Sequence, residues 1–553
     1  MFLRRVRIES FRGIERLDLA LDPTTILIGE NNTGKTSLLD ALNICLGPGS
    51  GATVPFRSSD FRRVGGDEGE PAPRPIRVLL RFREHRSGAW KRKGSPLGGV
   101  MMMRAGRHEI RLLVTAIPDS AEQPEVQWRF LDLNNEPIGP ESDPALLAEV
   151  RRLSPFLLLR ADRGLATYDG DTDQDELEDS DRRVLQVEID RVYQELVESR
   201  EGVESPELER GVAFVREHVE TAARRIGSLE EPQTLLDDLV QTPRRFSRRF
   251  STGASGPPEG SGALSLAVLL LTGAILRARG PARIAPDADP IVAVEEPEAH
   301  LHPRLLAAMW GIIDGFPTQK VVTTNSGELL AAVPLRSIRR LQRRRERIRV
   351  FQPGRKLTID EMRRIGYHIR VQRGDALFAR CWLLIEGETE FWLLPEFARI
   401  LGFDFVVEGI KSVEFAQCGV EPLIKLAKNS GIEWHLLADG DEAGRVYTTS
   451  ARRHIGRKQL SDRITQLAEP DMEHCLYENG YADIYSKVAR VAGSETSRSG
   501  KPAPGAVIRE AIRGASKPYL ALLVAERASS LGEDGVPAVL QSLIRTVVRQ
   551  ARD

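Results

Sequence analysis

The sequence predicts an α/β protein, and three observations lead there. A strand at Thr25–Ile28 runs into a Gly-rich turn and then a helix from Lys35 to about Leu46. A second apolar strand, Ile291–Val294, ends in two carboxylates, Glu295 and Glu296. From Cys381 onward apolar strands alternate with helical stretches, the pattern of a parallel sheet covered by helices.

The chain has 553 residues, more than one hydrophobic core sustains, so roughly two to four domains are expected. Hydrophobic residues make up 41% and charged residues 28%, ordinary for a soluble globular protein. The formal net charge is -1, so any attraction for nucleic acid must come from local patches. The N-terminus, MFLRRVRIESF, is charged early and alternates, which predicts a strand rather than a signal peptide. The longest apolar run, Ala263–Leu276, is interrupted by Ser, Thr and Gly and is too short for a bilayer core of ~30 Å. Cys45, Cys381, Cys418 and Cys475 are scattered without CxxC spacing, which fits a reducing cytoplasm and argues against structural zinc.

In chain order, strands are expected at Leu3–Ile8, Leu17–Leu21 and Thr25–Ile28, then the Lys35 helix. Alternation over 74–132, as in Ile76–Phe82 and Glu109–Thr115, predicts a β-meander with a basic loop at Arg86–Gly99. An acidic loop at 169–182 precedes a charged helical insertion at 183–241. The Gly/Ser/Pro-rich stretch Ser251–Gly262 opens an apolar helix, and strands follow at Ile291–Val294 and Lys320–Thr324. Arg336–Val350 reads as a basic hairpin and Phe351–Gly374 as a linker. Strands are then expected at Cys381–Ile385, Phe403–Ile410 and Trp434–Ala438, with a Gly493–Gly505 loop before a final pair of helices.

Gly29-Glu30-Asn31-Asn32-Thr33-Gly34-Lys35-Thr36 fits a P-loop, with strand and helix on the correct sides. Backbone N–H groups of Gly29, Asn31, Asn32, Gly34 and Ser37 would wrap phosphate oxygens at the helix N-terminus. Lys35 would reach the β/γ-phosphates of ATP, and the Thr36 hydroxyl would ligate Mg²⁺. At the end of the second strand, Glu295 would hold the ion and Glu296 would polarise the attacking water.

In the C-terminal half, Glu386 and Asp439 each follow an apolar strand directly, and Asp441 completes a DxD pair. In a parallel sheet such ends meet at one edge. Converging carboxylates repel, and a divalent ion is an economical way to hold them ionised. An all-oxygen set suits Mg²⁺ or Mn²⁺. The bland alternative is that these acids merely cap helices.

The first half, read as strand, Phe11-Arg12-Gly13-Ile14, P-loop, meander and carboxylate-ended strand, resembles the RecF, Rad50 and SMC type of ABC ATPase head. Gly260-Ser261-Gly262 looks like the signature loop, whose Ser261 and Gly262 would touch ATP held by a partner copy. Glu298-Ala299-His300-Leu301-His302-Pro303 looks like its D-loop; His300 and His302 lack a third ligand for a metal. Asn325 stands where that group has its switch histidine; it can bond a phosphate oxygen but cannot carry a proton.

The Glu386-Gly387…Asp439…Asp441 pattern resembles a Toprim domain. The EGxTE form, with Glu390, and a later Glu, placed at Glu473, resemble the OLD (overcoming lysogenization defect) family of ATP-dependent nucleases. That resemblance implies a second acidic set able to hold a second metal, and a late lysine near it, Lys517, with Lys501 as rival. It also implies a homodimer joined through the ATPase half and DNA cut at the Toprim site. The family includes the nuclease subunit of the Gabija antiphage system, so a helicase partner is one option.

The expected organisation is an ABC ATPase N-terminal part at 1–165, a helical, dimerising insertion at 166–250, the ABC C-terminal part at 251–350, a linker at 351–378 and a Toprim nuclease at 379–553. Arginines 336, 339, 340, 343, 344, 345, 347 and 349, and a second cluster at 244, 245, 248 and 249, could neutralise DNA phosphates or simply face solvent. The competing function is an ATP-switched, RecF-like repair factor without nuclease activity. A primase would need a zinc module and a topoisomerase a nucleophilic Tyr in a DNA-gate domain, and neither is evident.

Overall fold

A computed structural model describes residues 1–47, 56–66, 69–85, 87, 90, 96–118, 124–160, 164–165, 288–299, 310–311, 313–316, 318–344, 347–372, 374–455, 462–491 and 503–553. The 166–250 insertion, both its arginines and its proposed dimer role, lies outside the described residues, as do Ser261, Gly262, His300, His302 and Lys501. The chain divides into two compact units, Met1–Phe351 and Gln352–Asp553. The α/β class expected from the sequence is what both display.

The first unit is built on a fourteen-stranded mixed sheet. Its strands are β1 (Phe2–Phe11), β2 (Ile14–Ala20), β3 (Thr24–Ile28), then, after a separate β4–β5 hairpin (Arg63–Gly66, Gly69–Pro73), β6 (Ile76–Arg83), β7 (Met102–Arg104), β8 (Arg107–Ile117), β9 (Glu125–Leu131) and β10 (Pro137–Ile138). β11 (Phe156–Arg160), β12 (Gly164–Leu165), β13 (Ile291–Glu295), β14 (Gln319–Thr323), β15 (Ile338–Arg344) and β16 (Arg347–Phe351) complete it. The order β10-β9-β8-β6-β1-β2 is an antiparallel wing, and β15-β3-β14-β13-β11 is parallel. The sequence pattern follows this division. Wing strands alternate, so Leu3, Val6 and Ile8 of β1 go to the core while Arg5 and Arg7 face out; β13 is apolar and buried from Ile291 to Val294 because both of its faces are covered there. Helix α1 (Lys35–Leu46) packs against β1 and β11, and α2 (Pro144–Leu153) is capped by Asp143, which accepts from Ala145 N–H at 2.8 Å.

The basic hairpin β15–β16 corrects one expectation. Arg339 and Arg340 are buried, and Arg339 donates to the carbonyls of Arg336 (2.8 Å) and Ile338 (3.0 Å) and pairs with Asp22. Arg343 donates to the carbonyls of Gly13 and Asn32, both at 2.8 Å. These side chains hold the fold together; among the described arginines of 336–350, Arg336, Arg347 and Arg349 are exposed.

The second unit has a four-stranded parallel sheet, order β18-β17-β19-β20, made of β17 (Cys381–Ile385), β18 (Ile410–Glu414), β19 (Glu433–Ala438) and β20 (Ile464–Gln466). In chain order its helices are α3 (Ile359–Gln372), α4 (Glu388–Ile400), α5 (Val420–Ser430), α6 (Glu442–Arg452), α7 (Met472–Leu476), α8 (Ala482–Val491), α9 (Pro504–Gly514), α10 (Lys517–Leu531) and α11 (Ala538–Arg552). Three differences from the sequence reading stand out. The segment read as linker carries α3. The final helices number three, not two. The strand expected at Phe403–Ile410 is a set of turns, and the strand itself starts at Ile410: Gly402 and Gly409 sit at positive φ, Asp404 accepts from Val406 and Val407 N–H, and both valines are exposed. Among the described residues no helix is long and apolar enough to cross a membrane.

His435 in β19 gives this sheet a pH limit. Its Nδ1 lies 3.1 Å from the Asp462 carbonyl and its Nε2 2.9 Å from Thr465 Oγ1, and burial drives its pKa from 6.5 to about 4. The folded state thus holds the neutral ring while the unfolded chain binds the proton more readily. The associated stability is fully present above pH 6.5 and is lost as pH falls toward 4, up to about 3 kcal/mol. Urea midpoints should fall between pH 6.5 and 4 and less so in His435→Gln; an identical fall in the variant would assign the effect elsewhere.

Candidate nucleotide and acidic sites

Each unit carries one candidate site at the C-terminal edge of its parallel strands. In the first unit, β3 ends in the turn Gly29–Thr36. Gly29 is required there, since a Cβ would lie 2.4 Å from the Leu341 carbonyl oxygen, and Gly34, at φ 83°, caps α1 in the left-handed region. Lys35 is buried, and its Nζ donates to the carbonyls of Gly29 (2.5 Å) and Glu30 (3.3 Å). Burial lowers its pKa, opposed by Glu296, Glu298, Glu295 and Glu30.

The reason those acids reach Lys35 is topological. β14 lies between β3 and β13, all parallel, so Glu295, Glu296 and Asn325 emerge at the P-loop's edge. Asn325 Nδ2 donates to Glu296 Oε1 at 2.6 Å, and its backbone N–H to Glu298 Oε1 at 2.6 Å. Glu296 sits at φ 43°, held by donation of its N–H to the Thr323 carbonyl at 3.0 Å. Asn31, Asn32 and Thr36 are exposed and Ser37 is half-buried. Two contributors escaped the sequence reading. Glu298 has a carboxylate oxygen buried without a hydrogen-bond partner and a pKa raised by burial; its place beside two other glutamates was the available signal. Arg343 holds the P-loop through the Asn32 carbonyl.

In the second unit, Ile385 and Ala438 end adjacent parallel strands, so Glu386 and Asp439 emerge side by side. The turn after β19 is tight: a Cβ on Gly440 would lie 2.3 Å from the Glu469 carbonyl, and one on Gly444 2.0 Å from the Asp439 carbonyl. Helix caps account for only one of the acids. Asp441 caps α6, accepting from Gly444 N–H at 2.7 Å, whereas α4 is capped by Gly387 with no side-chain bond. Glu386 Oε2 is buried with no partner, and its pKa is raised by burial and by Asp441. Glu390 is pushed up to about 7 by burial, with Glu473 and Glu386 adding to the rise. Asp439 is pushed up to about 8 by burial, then by Glu390, Glu386, Asp471 and Glu473.

Buried Glu473 accepts through one oxygen, Oε1, from Thr389 Oγ1 at 2.8 Å and from Lys517 Nζ at 2.9 Å. Ser516 caps α10 and so sets Lys517 at the helix start. Thr389 and Asp471 were not singled out in the sequence; Asp471 caps α7, accepting from His474 N–H at 2.8 Å. The structure therefore gathers Glu386, Glu390, Asp439, Asp441, Glu473 and Lys517 into one electrostatically coupled set.

Among the described residues, no group of three or more His, Cys, Asp or Glu is disposed to hold a metal ion as it stands. Asp441 is turned to its cap and Glu473 to Thr389 and Lys517, which spreads the set. The chemical fit is nonetheless that of a hard cation. The donors are all oxygens, they raise one another's pKa, and one Glu386 oxygen is buried unsatisfied.

Residues 1–376 match the family described as "Protein of unknown function (DUF2813)", and residues 377–441 match the Toprim domain of proteins like the overcoming lysogenization defect protein. The chain is 35% identical over 561 aligned residues to the "Uncharacterized protein YbjD" of Escherichia coli (strain K12), covering 100% of this chain and 99% of that one. It is 42% identical over 45 residues, 8% of either chain, to the "OLD nuclease" of Thermus scotoductus. Among solved structures, the C-terminal region of the Xanthomonas campestris pv. campestris OLD protein is similar at 18% identity and a TM-score of 0.27, over 32% of this chain and 94% of that one.

Proposed function

Since this chain belongs to the DUF2813 family and carries an OLD-like Toprim domain, we propose that it is an ATP-binding, divalent-metal-dependent DNA endonuclease or nickase. The observation that carries the reading is the convergence of Glu386, Glu390, Asp439 and Glu473, with Lys517 among them. Glu386, Asp439 and Asp441 would hold Mg²⁺ or Mn²⁺, and Glu390 and Glu473 a second ion. A bound divalent ion there supplies Lewis-acid stabilisation of charge on a phosphodiester. Lys517 adds a cation at the same place, and Thr389 keeps Glu473 in register for it. In the other unit, Lys35, Thr36, Glu295, Glu296 and Asn325 would serve ATP and its Mg²⁺. The reading includes a cytoplasmic homodimer, with or without a helicase partner, in antiphage defence or DNA repair, and the nuclease body at 379–553.

Purified full-length protein with Mg²⁺ or Mn²⁺ should nick or cut plasmid, with ATP present or absent; silence with both ions in both conditions overturns the proposal. The competing repair-factor reading draws on the spread of the acids, and it gains if ATP-dependent DNA binding is seen without cutting.

Ion uptake should also expel protons. With Asp439 at about 8 and Glu390 at about 7, both carry protons at pH 7 part or most of the time, and a cation requires them ionised. Apparent Mn²⁺ affinity should rise from pH 6 to about 8 and level off above it. Calorimetry at pH 7 in two buffers of different ionisation enthalpy reads the released protons directly. Equal heats in both buffers would show that these acids do not receive the ion.

A further inference from the structure

The antiparallel wing of the first unit carries arginines on one face: Arg5, Arg16, Arg77 and Arg347 are exposed, Arg81 is half-buried, and Arg111 is buried. The register places Arg5 opposite Arg81 and Arg81 opposite Arg111 across β1, β6 and β8. A second row runs Arg347, Arg16, Glu9, Arg77 across β16, β2, β1 and β6. Like charges directly opposite on neighbouring strands destabilise a sheet, so a face built this way needs counter-charge.

The carboxylates next to these arginines are already committed, while Glu125 at the far strand accepts, among the described residues, only from Gln127 Nε2 at 2.7 Å. Asp18 is shared by Arg5 and Arg7, Glu109 is held by Arg111 and lies 3.7 Å from Arg104, and Glu9 lies 3.7 Å from Arg16. Arg77 and Arg81 have no hydrogen bond or ion pair among the described residues. The Arg81 guanidinium is held below its ordinary range by burial and by Arg111 and Arg5 beside it.

We propose that this sheet face, centred on Arg77 and Arg81, binds the phosphate backbone of duplex DNA. The inference rests on the nuclease reading and names where its substrate is gripped outside the acidic site. Six strands from β16 to β9 make a face roughly 24 Å across, wide enough for several phosphates at about 3.4 Å rise per strand. The apolar residue between the two arginines, Leu79, is buried. The face thus offers charge without the exposed apolar side chains by which an interfacial surface enters lipid.

The test is duplex binding by the full chain in EDTA, read by fluorescence anisotropy of a labelled oligonucleotide across a salt series. The double variant Arg77→Ala/Arg81→Ala should bind about tenfold more weakly near physiological salt, with a log–log salt slope lower by about two. Its thermal midpoint should stay level or rise, because repulsion is removed; a structural role would lower it. Arg513→Ala, on a helix of the other unit, should bind as the unaltered protein does. Undiminished DNA binding by the double variant overturns the inference, and so does a wild-type preference for phosphatidylglycerol vesicles that the double variant loses. Metal-dependent cutting with unchanged binding in the variant would sink the surface and leave the nuclease reading standing. Face-dependent binding with no cutting by the unaltered protein would do the reverse.

Discussion

Asp439→Asn should lose metal-dependent DNA cutting by on the order of 10³-fold or more, equivalent to about 4 kcal/mol in the barrier. Asp439 is the member of the acidic set on which the others bear most: Glu390, Glu386, Asp471 and Glu473 all raise its pKa beyond what burial does. That repulsion makes it a strong donor once a cation arrives. It also makes the substitution mild for the fold. At pH 7 the carboxyl, pushed up to about 8, is mostly protonated without a cation, and an amide has nearly the same size and charge as that neutral acid. Thermal stability without metal should therefore hold or rise slightly, while Mn²⁺-induced stabilisation disappears. ATP binding should be untouched. The contrast with Glu442→Gln, an exposed acid at the start of the helix that follows, separates a lost ligand from a general change in charge. If Asp439→Asn cuts within tenfold of the unaltered protein, the acidic set is not the cutting site.

How much of this was legible depended on whether the signal was local. The P-loop could be read because Gly29, Gly34 and Lys35 are fixed by the turn itself, with strand and helix adjacent in the chain. Glu386 and Asp439 could be read because each directly follows an apolar strand, and parallel pairing does the rest. Lys517 and Glu473 were reached only through a family resemblance; nothing in the local pattern of either says that they meet, and the contact depends on how α10 and α7 both pack against α4. Thr389 was hidden inside a motif whose acids drew attention. The arginine hairpin misled for a related reason. A charge run predicts a solvated face, but Arg339 and Arg343 find carbonyl partners far away in the chain, and a sequence carries no trace of those bonds. Phe403–Ile410 misled through its apolar residues, when the informative ones were the glycines bounding it.

Lys35→Ala should weaken ATP binding by on the order of 10²-fold, the scale set by losing a charge-assisted hydrogen bond to phosphate, about 1.5–3 kcal/mol. The side chain is buried at the base of the turn, its ammonium held on the Gly29 and Glu30 carbonyls within the field of four glutamates. Those carbonyls keep the charge where a β/γ-phosphate would meet it. Removing it takes away a positive charge that acts on Glu296, Glu298 and Glu295, so an incoming triphosphate meets more repulsion as well as a missing donor. Thermal shift reads this directly: ligand at about 100 times its Kd adds about 2.7 kcal/mol to the unaltered protein, and the variant should show almost none of it. Lys35→Arg should fall between the two, since it keeps charge but brings a planar, forked group into a site shaped for a compact ammonium. Cation uptake at the acidic site should be unchanged in both variants, because the donors there belong to the other unit. An alanine variant with the ATP-induced shift of the unaltered protein would show that the Gly29–Thr36 turn is not where nucleotide binds.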